Sequence, residues 1–183
     1  MKLPVLNSVF SLFLLLLLSF SCASDLDYDQ ANNIKLEPIF VANLAYFDVP
    51  AHEFVTNDVE QSVIFDVPTV DIFNDGFFRK SLKKVEFFYE MENTINRTYV
   101  VNLVFLDRTN QVVHTTNFTV PAYTGLDNKV TKTEIFENTQ LDLLKRTTKI
   151  AFTLRMLPGA PLNENSSGRL ILRSSVTAYL VVE

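Results

Sequence analysis

The strongest constraint on the fold is a strict alternation of apolar and polar residues in the middle of the chain. Within the stretch LKKVEFFYEMEN, four successive alternate positions are apolar: Val85, Phe87, Tyr89 and Met91. Lysine and glutamate take most of the positions between them. A helix would scatter these side chains around its circumference, whereas an extended chain puts them on one face. The stretch therefore predicts a β-strand with one face in a core.

The same alternation resumes after a short turn at 93–96. In RTYVVNLVFLD the apolar face is formed by Tyr99, Val101, Leu103 and Phe105. A third strand, QVVHTTNFTV, follows the turn DRTN, whose side chains can satisfy a turn backbone. Three strands with short connections predict an antiparallel meander, in which the first two strands are neighbours.

Further alternating stretches extend this pattern towards both ends. IKLEPIFVANLAYFDVP predicts one or two strands, SVIFDVP predicts another, and KVTKTEIFE, KIAFTLRML and RLILRSSVTAYLVV predict three more. NTQLDLLKRT predicts one or two helical turns capped at Asn138 or Thr139, with Leu141 and Leu144 on the apolar side. About eight strands with little helix predict an all-β fold, a single antiparallel β-sandwich of immunoglobulin-like or Greek-key type. An up-and-down barrel is the competing architecture.

The first residues form a leader that precedes this domain. Lys2 is followed by VFSLFLLLLLSF, an apolar stretch of signal-peptide length that is short for a membrane span. We assign residues 1–21 to a signal peptide, 22–33 to an acidic flexible tether and 34–183 to the β-sandwich. An uncleaved membrane anchor is the alternative, but no basic stop-transfer cluster follows the run.

The chain has one cysteine, Cys22, at the end of this leader. It cannot form an internal disulfide, and packing does not explain a cysteine that lies outside the domain. The motif LSFSC resembles the loose lipobox of Bacteroidota lipoproteins, although Phe20 departs from the stricter pattern of other bacteria. The acidic SDLDYD is similar to the tract that marks many lipoproteins of that group for the cell surface. The resemblance implies cleavage before Cys22, a lipid on its sulfur, and anchoring to the outer membrane with display at the surface.

Two further observations qualify this assignment. Small residues at Ser21 and Ala23 also fit an ordinary signal-peptidase site with cleavage after Ala23, which would release a secreted protein. More loosely, the all-β body resembles uncharacterised lipoproteins of the same bacteria. Both the anchored and the secreted interpretation place the domain outside the cytoplasm.

No stretch carries a recognisable catalytic motif. The two histidines, His52 and His114, have a carboxylate or hydroxyl neighbour in the sequence, but no glycine-framed serine accompanies them. We therefore predict ordinary surface or half-buried histidines and no catalytic residue. A cleft that holds either histidine against a carboxylate would favour the rival interpretation, a small hydrolase-like envelope enzyme.

One stretch, DIFNDG, resembles the opening of a calcium-binding loop. Phe73 stands where an EF-hand needs an oxygen ligand, and Leu82 stands where it needs glutamate, so the match fails. A different calcium site, built from Asp66, Asp71 and Asp75, is the remaining alternative. Because metal-spaced Cys/His clusters and glycine-rich phosphate loops are absent from the sequence, we predict no metal and no cofactor.

Charge and aromatic content limit the partners. The net charge is −5, and loss of the leader, which contains Lys2 and no acid, makes it one unit more negative. The chain therefore has no electrostatic reason to bind nucleic acid. The aromatic runs Phe77-Phe78 and Phe87-Phe88-Tyr89 could bind an envelope protein or a glycan, although burial on both faces of a strand is the favoured interpretation. The predicted protein binds or scaffolds, contacts the membrane through its lipid, and is not an enzyme.

Overall fold

The computed structural model describes residues 35–61, 63–66, 69, 73 and 75–182. Cys22, the predicted signal peptide and the predicted tether lie outside these residues, so their assignment stays a prediction. A self-contained unit spans Leu36–Val182.

Antiparallel strands make up most of the described chain. A 3-10 helix at Ala51–Phe54 follows the first strand, and two short α-helices lie at Gly76–Ser81 (α1) and Gln140–Leu144 (α2). The strands are β1 (Ile39–Pro50), β2 (Val55–Thr56), β3 (Val59–Glu60), β4 (Val63–Asp66), β5 (Leu82–Asn93), β6 (Tyr99–Leu106), β7 (Val112–Val120), β8 (Lys129–Glu137), β9 (Lys149–Met156) and β10 (Arg169–Leu180).

Eight of these strands form two four-stranded sheets. The first sheet has the order β1-β10-β5-β8, the second has the order β4-β9-β6-β7, and β2 pairs with β3 in a separate hairpin. The antiparallel pairs are nested, β1 with β10, β4 with β9, β5 with β8 and β6 with β7, and successive pairs alternate between the sheets. This is a jelly roll, a long hairpin rolled into two Greek keys. The predicted antiparallel β-sandwich is confirmed, with a jelly-roll strand order in place of the immunoglobulin one.

An aromatic core lies between the two sheets. The eight residues of the two predicted apolar faces are all buried: Val85, Phe87, Tyr89, Met91, Tyr99, Val101, Leu103 and Phe105. The ring of Phe87 lies 5.6 Å from the rings of Phe105 and Phe136, edge to face in both cases. Because Phe87 and Phe105 come from different sheets, their contact joins the two halves of the sandwich.

The predicted hairpin between β5 and β6 is wrong. β5 pairs with β10 and β8, whereas β6 pairs with β7 and β9, so the chain crosses from one sheet to the other between them. The buried side chain of Asn93 fixes this crossing. Its amide nitrogen donates to the carbonyls of Arg97 and Pro121, and its oxygen accepts from the N–H of Ile95. The two strands face each other across the core and share no ladder.

The structure also corrects the interpretation of Phe77-Phe78 as part of a strand. These residues open α1, where the carboxylate of Asp75 accepts the N–H groups of both and caps the helix. The one helical segment that the sequence predicts is confirmed as α2, with Leu141 and Leu144 buried. A capping aspartate followed by a six-residue helix leaves too short a periodic stretch for sequence analysis to detect.

Arg97 lies in the connection between β5 and β6 and binds the loop between β9 and β10. Its guanidinium donates to the carbonyls of Leu157 and Ala160 and pairs with Glu60, with 2.8 Å between Nη2 and Oε2. Glu60 also accepts from the N–H of Leu162. That backbone bond does most to lower the pKa of the Glu60 carboxyl, and Arg97 adds to the effect against the opposing influence of burial.

Candidate functional site

The structure places the two histidines on separate elements. His52 is exposed on the 3-10 helix that follows β1, and His114 is half-buried on β7. These positions match the predicted surface and half-buried environments. They do not form a joint site.

His114 lies against a carboxylate, which is the contact that the enzyme interpretation requires. Its Nε2 is 2.9 Å from Oε1 of Glu134, and the hydroxyl of Thr116 donates to Oε2 of the same carboxylate at 3.0 Å. The imidazole packs on the rings of Phe105 and Phe136. Because the hydroxyl binds the carboxylate and not the imidazole, the histidine is not placed to remove its proton. These contacts instead link β7, an edge strand of the second sheet, to β8, an edge strand of the first sheet.

The calcium alternative gains no support from the described residues. The carboxylate of Asp75 caps α1, while Asp71 and the side chain of Asp66 lie outside what the structure describes. Among the described residues, no group of three or more His, Cys, Asp or Glu side chains could hold a metal ion.

An apolar cavity of about 100 Å³ lies beside the second half of β1. Its walls include Phe47 of β1 and Phe152 and Leu154 of β9. Tyr46 supplies the one titratable side chain among the described residues of the lining. A cavity of this size with an apolar lining can hold a small apolar group.

The outer face of the first sheet presents an exposed aromatic ring. Phe88 of β5 is 40% exposed, although its neighbours Phe87 and Tyr89 are buried. In the antiparallel ladders Phe88 is paired with Ser175 of β10 and with Thr133 of β8. Paired residues project from the same face of a sheet, so these side chains form one row with the phenyl ring in the centre.

Two further rows of paired residues flank this one. Thr177, Glu86 and Ile135 form the row on one side, and Arg173, Glu90 and Thr131 form the row on the other. We call these nine residues the Phe88 surface: Thr177, Glu86, Ile135, Ser175, Phe88, Thr133, Arg173, Glu90 and Thr131. An aromatic ring is thus surrounded on all sides by mainly polar side chains.

Both glutamates of the Phe88 surface are fixed by neighbouring cations. Glu86 accepts from Nζ of Lys84 at 2.7 Å and from the hydroxyl of Tyr179 at 3.1 Å. The Lys84 bond is the main cause that lowers the pKa of the Glu86 carboxyl. Glu90 accepts from Nη1 of Arg173 at 3.0 Å. Each carboxylate is therefore held in place while a nearby positive charge offsets its own.

Hydroxyl groups complete the frame around the ring. Thr131 and Thr133 are exposed, and Ser175 and Thr177 are half-buried. Within the described part of the chain, none of these four hydroxyls makes a hydrogen bond. Each can therefore donate to and accept from a molecule that lies on the surface.

The sequence pointed to Phe88 but not to its surroundings. The alternation of β5 puts Phe88 on the same side as Glu86 and Glu90, where a phenylalanine is either covered by a loop or a partner or left half exposed. The burial that is favoured for the aromatic runs is therefore wrong for Phe88, and it is wrong for Phe77 as well. The neighbours from β10 and β8 depend on the register of two ladders between strands far apart in sequence. No local signal in the sequence gives that register.

A second exposed apolar area follows the first half of β1. Ile39, Phe40 and Val41 are exposed there, and the ring of Phe40 lies 5.9 Å from that of Phe78 in α1. β1 is an edge strand of the first sheet. This area lies beside the Phe88 surface on the same sheet but lacks its polar frame.

No protein-family model and no curated protein matches this chain. Among solved structures, VP2 of the infectious bursal disease virus subviral particle is 9% identical with a TM-score of 0.46, over 78% of this chain and 32% of VP2. A protein from Parabacteroides distasonis described as secreted is 12% identical with a TM-score of 0.42, over 63% of this chain and 38% of that one. The protein of desmodium yellow mottle tymovirus is 8% identical with a TM-score of 0.34, over 81% and 90%.

These likenesses concern the fold alone. The chain spans about a third of the length of VP2, and the two sequences are 9% identical where they align. In the part of the chain that the structure describes, no helix has both the length and the apolar character needed to cross a membrane.

Proposed function

We propose that this chain is a lipid-anchored binding protein of the bacterial envelope. An acylated Cys22 holds it on the outer membrane, and it binds an envelope protein or a glycan through the outer face of its first sheet. The observation that carries this proposal is the Phe88 surface. An aromatic ring that is exposed on a central strand and framed by fixed carboxylates contributes little to the core, whereas it is well suited to contact a partner.

The anchor rests on the sequence around Cys22. The motif LSFSC places the only cysteine of the chain directly after an apolar leader, and a short polar stretch separates it from the body at Leu36. Each buried methylene of an acyl chain contributes about 0.8 kcal/mol to membrane binding, so several chains on one residue hold a protein firmly.

The variant Cys22→Ala tests the anchor. It should move from the membrane fraction to the soluble fraction of the cell, because the lipid has lost its attachment atom, and it should no longer take up labelled fatty acid. Ser24→Ala, which keeps the cysteine, is the matched control and should stay on membranes. A membrane-bound Cys22→Ala protein, together with an unlabelled wild type, would show that the lipoprotein assignment is wrong.

Capture of partners from intact cells tests the binding surface. The wild-type protein and its Phe88→Asp and Phe77→Asp variants are recovered after cross-linking, and bound proteins and glycans are both analysed by mass spectrometry. Phe77 is a suitable control because it is exposed to 48% but lies on α1. A partner retained by the wild type and by Phe77→Asp but lost by Phe88→Asp is the expected result. Equal recovery by all three proteins would contradict a role for this face.

A small hydrolase-like enzyme is the second candidate function, because His114 contacts Glu134. The test is to assay the wild-type protein, His114→Gln and Glu134→Gln against generic ester and glycoside substrates. We expect no turnover by the wild type, since no hydroxyl among the described residues is bonded to the imidazole. Turnover that both substitutions abolish would support the enzyme and contradict the binding protein.

A further inference from the structure

We infer that the Phe88 surface binds a neutral sugar ring of a glycan. This inference rests on the proposed function and names the ligand class of the same surface. It follows from the combination of one aromatic ring, a frame of hydrogen-bonding groups and a balanced charge.

A sugar ring needs two kinds of contact, and the surface offers both. One face of a pyranose carries C–H groups that pack on an aromatic ring, while the hydroxyls at its rim both donate and accept hydrogen bonds. Phe88 supplies the ring, Glu86 and Glu90 supply fixed acceptors, and Ser175 and Thr133 supply hydroxyls. Cross-strand neighbours lie about 5 Å away and next-but-one residues roughly 7 Å away, so the frame surrounds a single sugar ring.

The charges of the surface favour a ligand without charge. Its two carboxylates are offset by Lys84 and Arg173, and Arg173 also donates to Glu92. Arg173 is the one cation within the Phe88 surface, and these ion pairs occupy it. Lys129, at the border of the surface, is also turned to a carboxylate, with its Nζ 3.9 Å from Glu90. A phosphate or a carboxylate would therefore meet two acids whose neighbouring cations are already paired. The negative charge of the whole chain repels nucleic acid in the same way.

The small apolar area argues against a protein as the main ligand. Phe88 and Ile135 are the two apolar members of the surface, and the remaining seven are polar or charged. Beyond its edge, Val41 of β1 is paired with Thr177 and adds one exposed apolar side chain. A stable protein interface usually buries roughly 800 Å² on each partner and has an apolar centre wider than one ring. One or two sugar rings match the dimensions of the Phe88 surface better.

The surface is also rigid, which lowers the cost of binding. Phe88 and Ser175 lie on β5 and β10, the two central strands of the sheet, and each strand is paired on both sides. The carboxylates are fixed by their ion pairs before a ligand arrives. Little conformational freedom remains to be lost when a sugar binds.

Affinity gel electrophoresis with soluble neutral polysaccharides tests this inference. A linear β-glucan, a xylan, a galactomannan and a soluble α-glucan are cast into native gels, and polygalacturonate serves as the acidic comparison. The wild type should be retarded by at least one neutral polysaccharide and not by polygalacturonate. Phe88→Ala should bind at least about tenfold more weakly, Phe88→Trp should keep binding, and Phe77→Ala should match the wild type. Thermal melts establish that each variant is folded.

Several results would overturn the inference. These are a wild type that no neutral polysaccharide retards, a Phe88→Ala variant that binds as well as the wild type, equal loss in Phe77→Ala, or preferential binding of polygalacturonate. The capture experiment separates this failure from failure of the proposed function. If the anchored protein captures a protein partner through Phe88 but ignores neutral polysaccharides, the sugar inference is wrong and the binding function stands. If substitution of Phe88 changes neither measurement, both are wrong.

Discussion

Phe87 and Phe88 are adjacent in the chain and lie in opposite environments. Phe87 is fully buried against the rings of Phe105 and Phe136, while Phe88 is 40% exposed on the outer face. The difference arises because successive side chains of a strand point to opposite sides. Two chemically identical residues therefore serve different purposes, one holding the sheets together and the other available to a ligand.

Alanine substitutions should separate these two purposes. Phe87→Ala should cost about 3–5 kcal/mol of unfolding free energy, because it leaves a cavity between the sheets. Phe88→Ala should cost under about 1 kcal/mol, and Glu86→Ala or Glu90→Ala under about 0.5 kcal/mol, because solvent weakens surface ion pairs. Urea denaturation of the four variants measures these values. Equal losses for Phe87→Ala and Glu86→Ala would mean that the face of this strand is misassigned.

Glu60 should make stability depend on acid pH. Its folded-state pKa is lower than its ordinary value of 4.5, so the ionised carboxylate stabilises the fold above that value. This contribution is lost as the pH falls from 4.5 through the lowered pKa of the folded state. Glu60→Gln should therefore be less stable than the wild type at neutral pH, with a difference that shrinks in acid.

Urea denaturation at neutral pH and at about pH 3 measures this difference, with Glu53→Gln as the matched control. Glu53 is an exposed glutamate of the 3-10 helix, and the two variants are compared with the wild type at both pH values. A Glu60→Gln difference that stays constant or grows in acid would contradict the role of the Leu162 and Arg97 bonds.

Strands were easier to predict than their pairing. The buried face of a strand follows from the local alternation of apolar and polar residues. The sequence therefore predicts the buried sides of β5, β6 and β9. The partner of a strand depends on contacts between distant segments, and a short connection such as 93–96 has the sequence of a hairpin turn even though it crosses between the sheets. The amide of Asn93 binds carbonyls on both sides of that crossing, a role that its sequence neighbourhood does not reveal. The Phe88 surface has the same origin, since its rows combine three strands.

The loop that enters β10 requires glycine at one position. Gly168 has φ of +100°, and a Cβ there would lie 2.3 Å from the carbonyl oxygen of Thr94. Gly168→Ala should therefore destabilise the protein by more than about 1 kcal/mol. Gly76→Ala, at the start of α1, is the matched control, because a Cβ there meets no atom within 4 Å. That variant should be neutral or up to about 1 kcal/mol more stable, and equal thermal melts for the two would contradict the close approach.

At the scale of the whole molecule, the last strand completes the first sheet. β10 lies between β1 and β5 and pairs with both, so its loss leaves two strands without a shared neighbour. A variant that ends at Ser174 should therefore lack a cooperative melt, whereas a variant that starts at Lys35 and keeps the C-terminus should melt cooperatively. Circular dichroism during heating measures both. A cooperative transition in the shortened C-terminal variant would show that β10 is dispensable.

The nested pairing determines the order in which the strands can pair while the protein is synthesised. Ala45 of β1 bonds Ser174 of β10 across 129 positions of the chain, and Leu36 bonds Val182. A ribosome or a translocation channel releases the N-terminal end first, so β1 emerges long before its ladder partner exists. Closure of the sheet must await β10, which makes folding slow for a domain of this size and leaves an apolar edge exposed meanwhile. The export that we propose would therefore carry an unfolded chain across the membrane, and the sandwich would form on the far side.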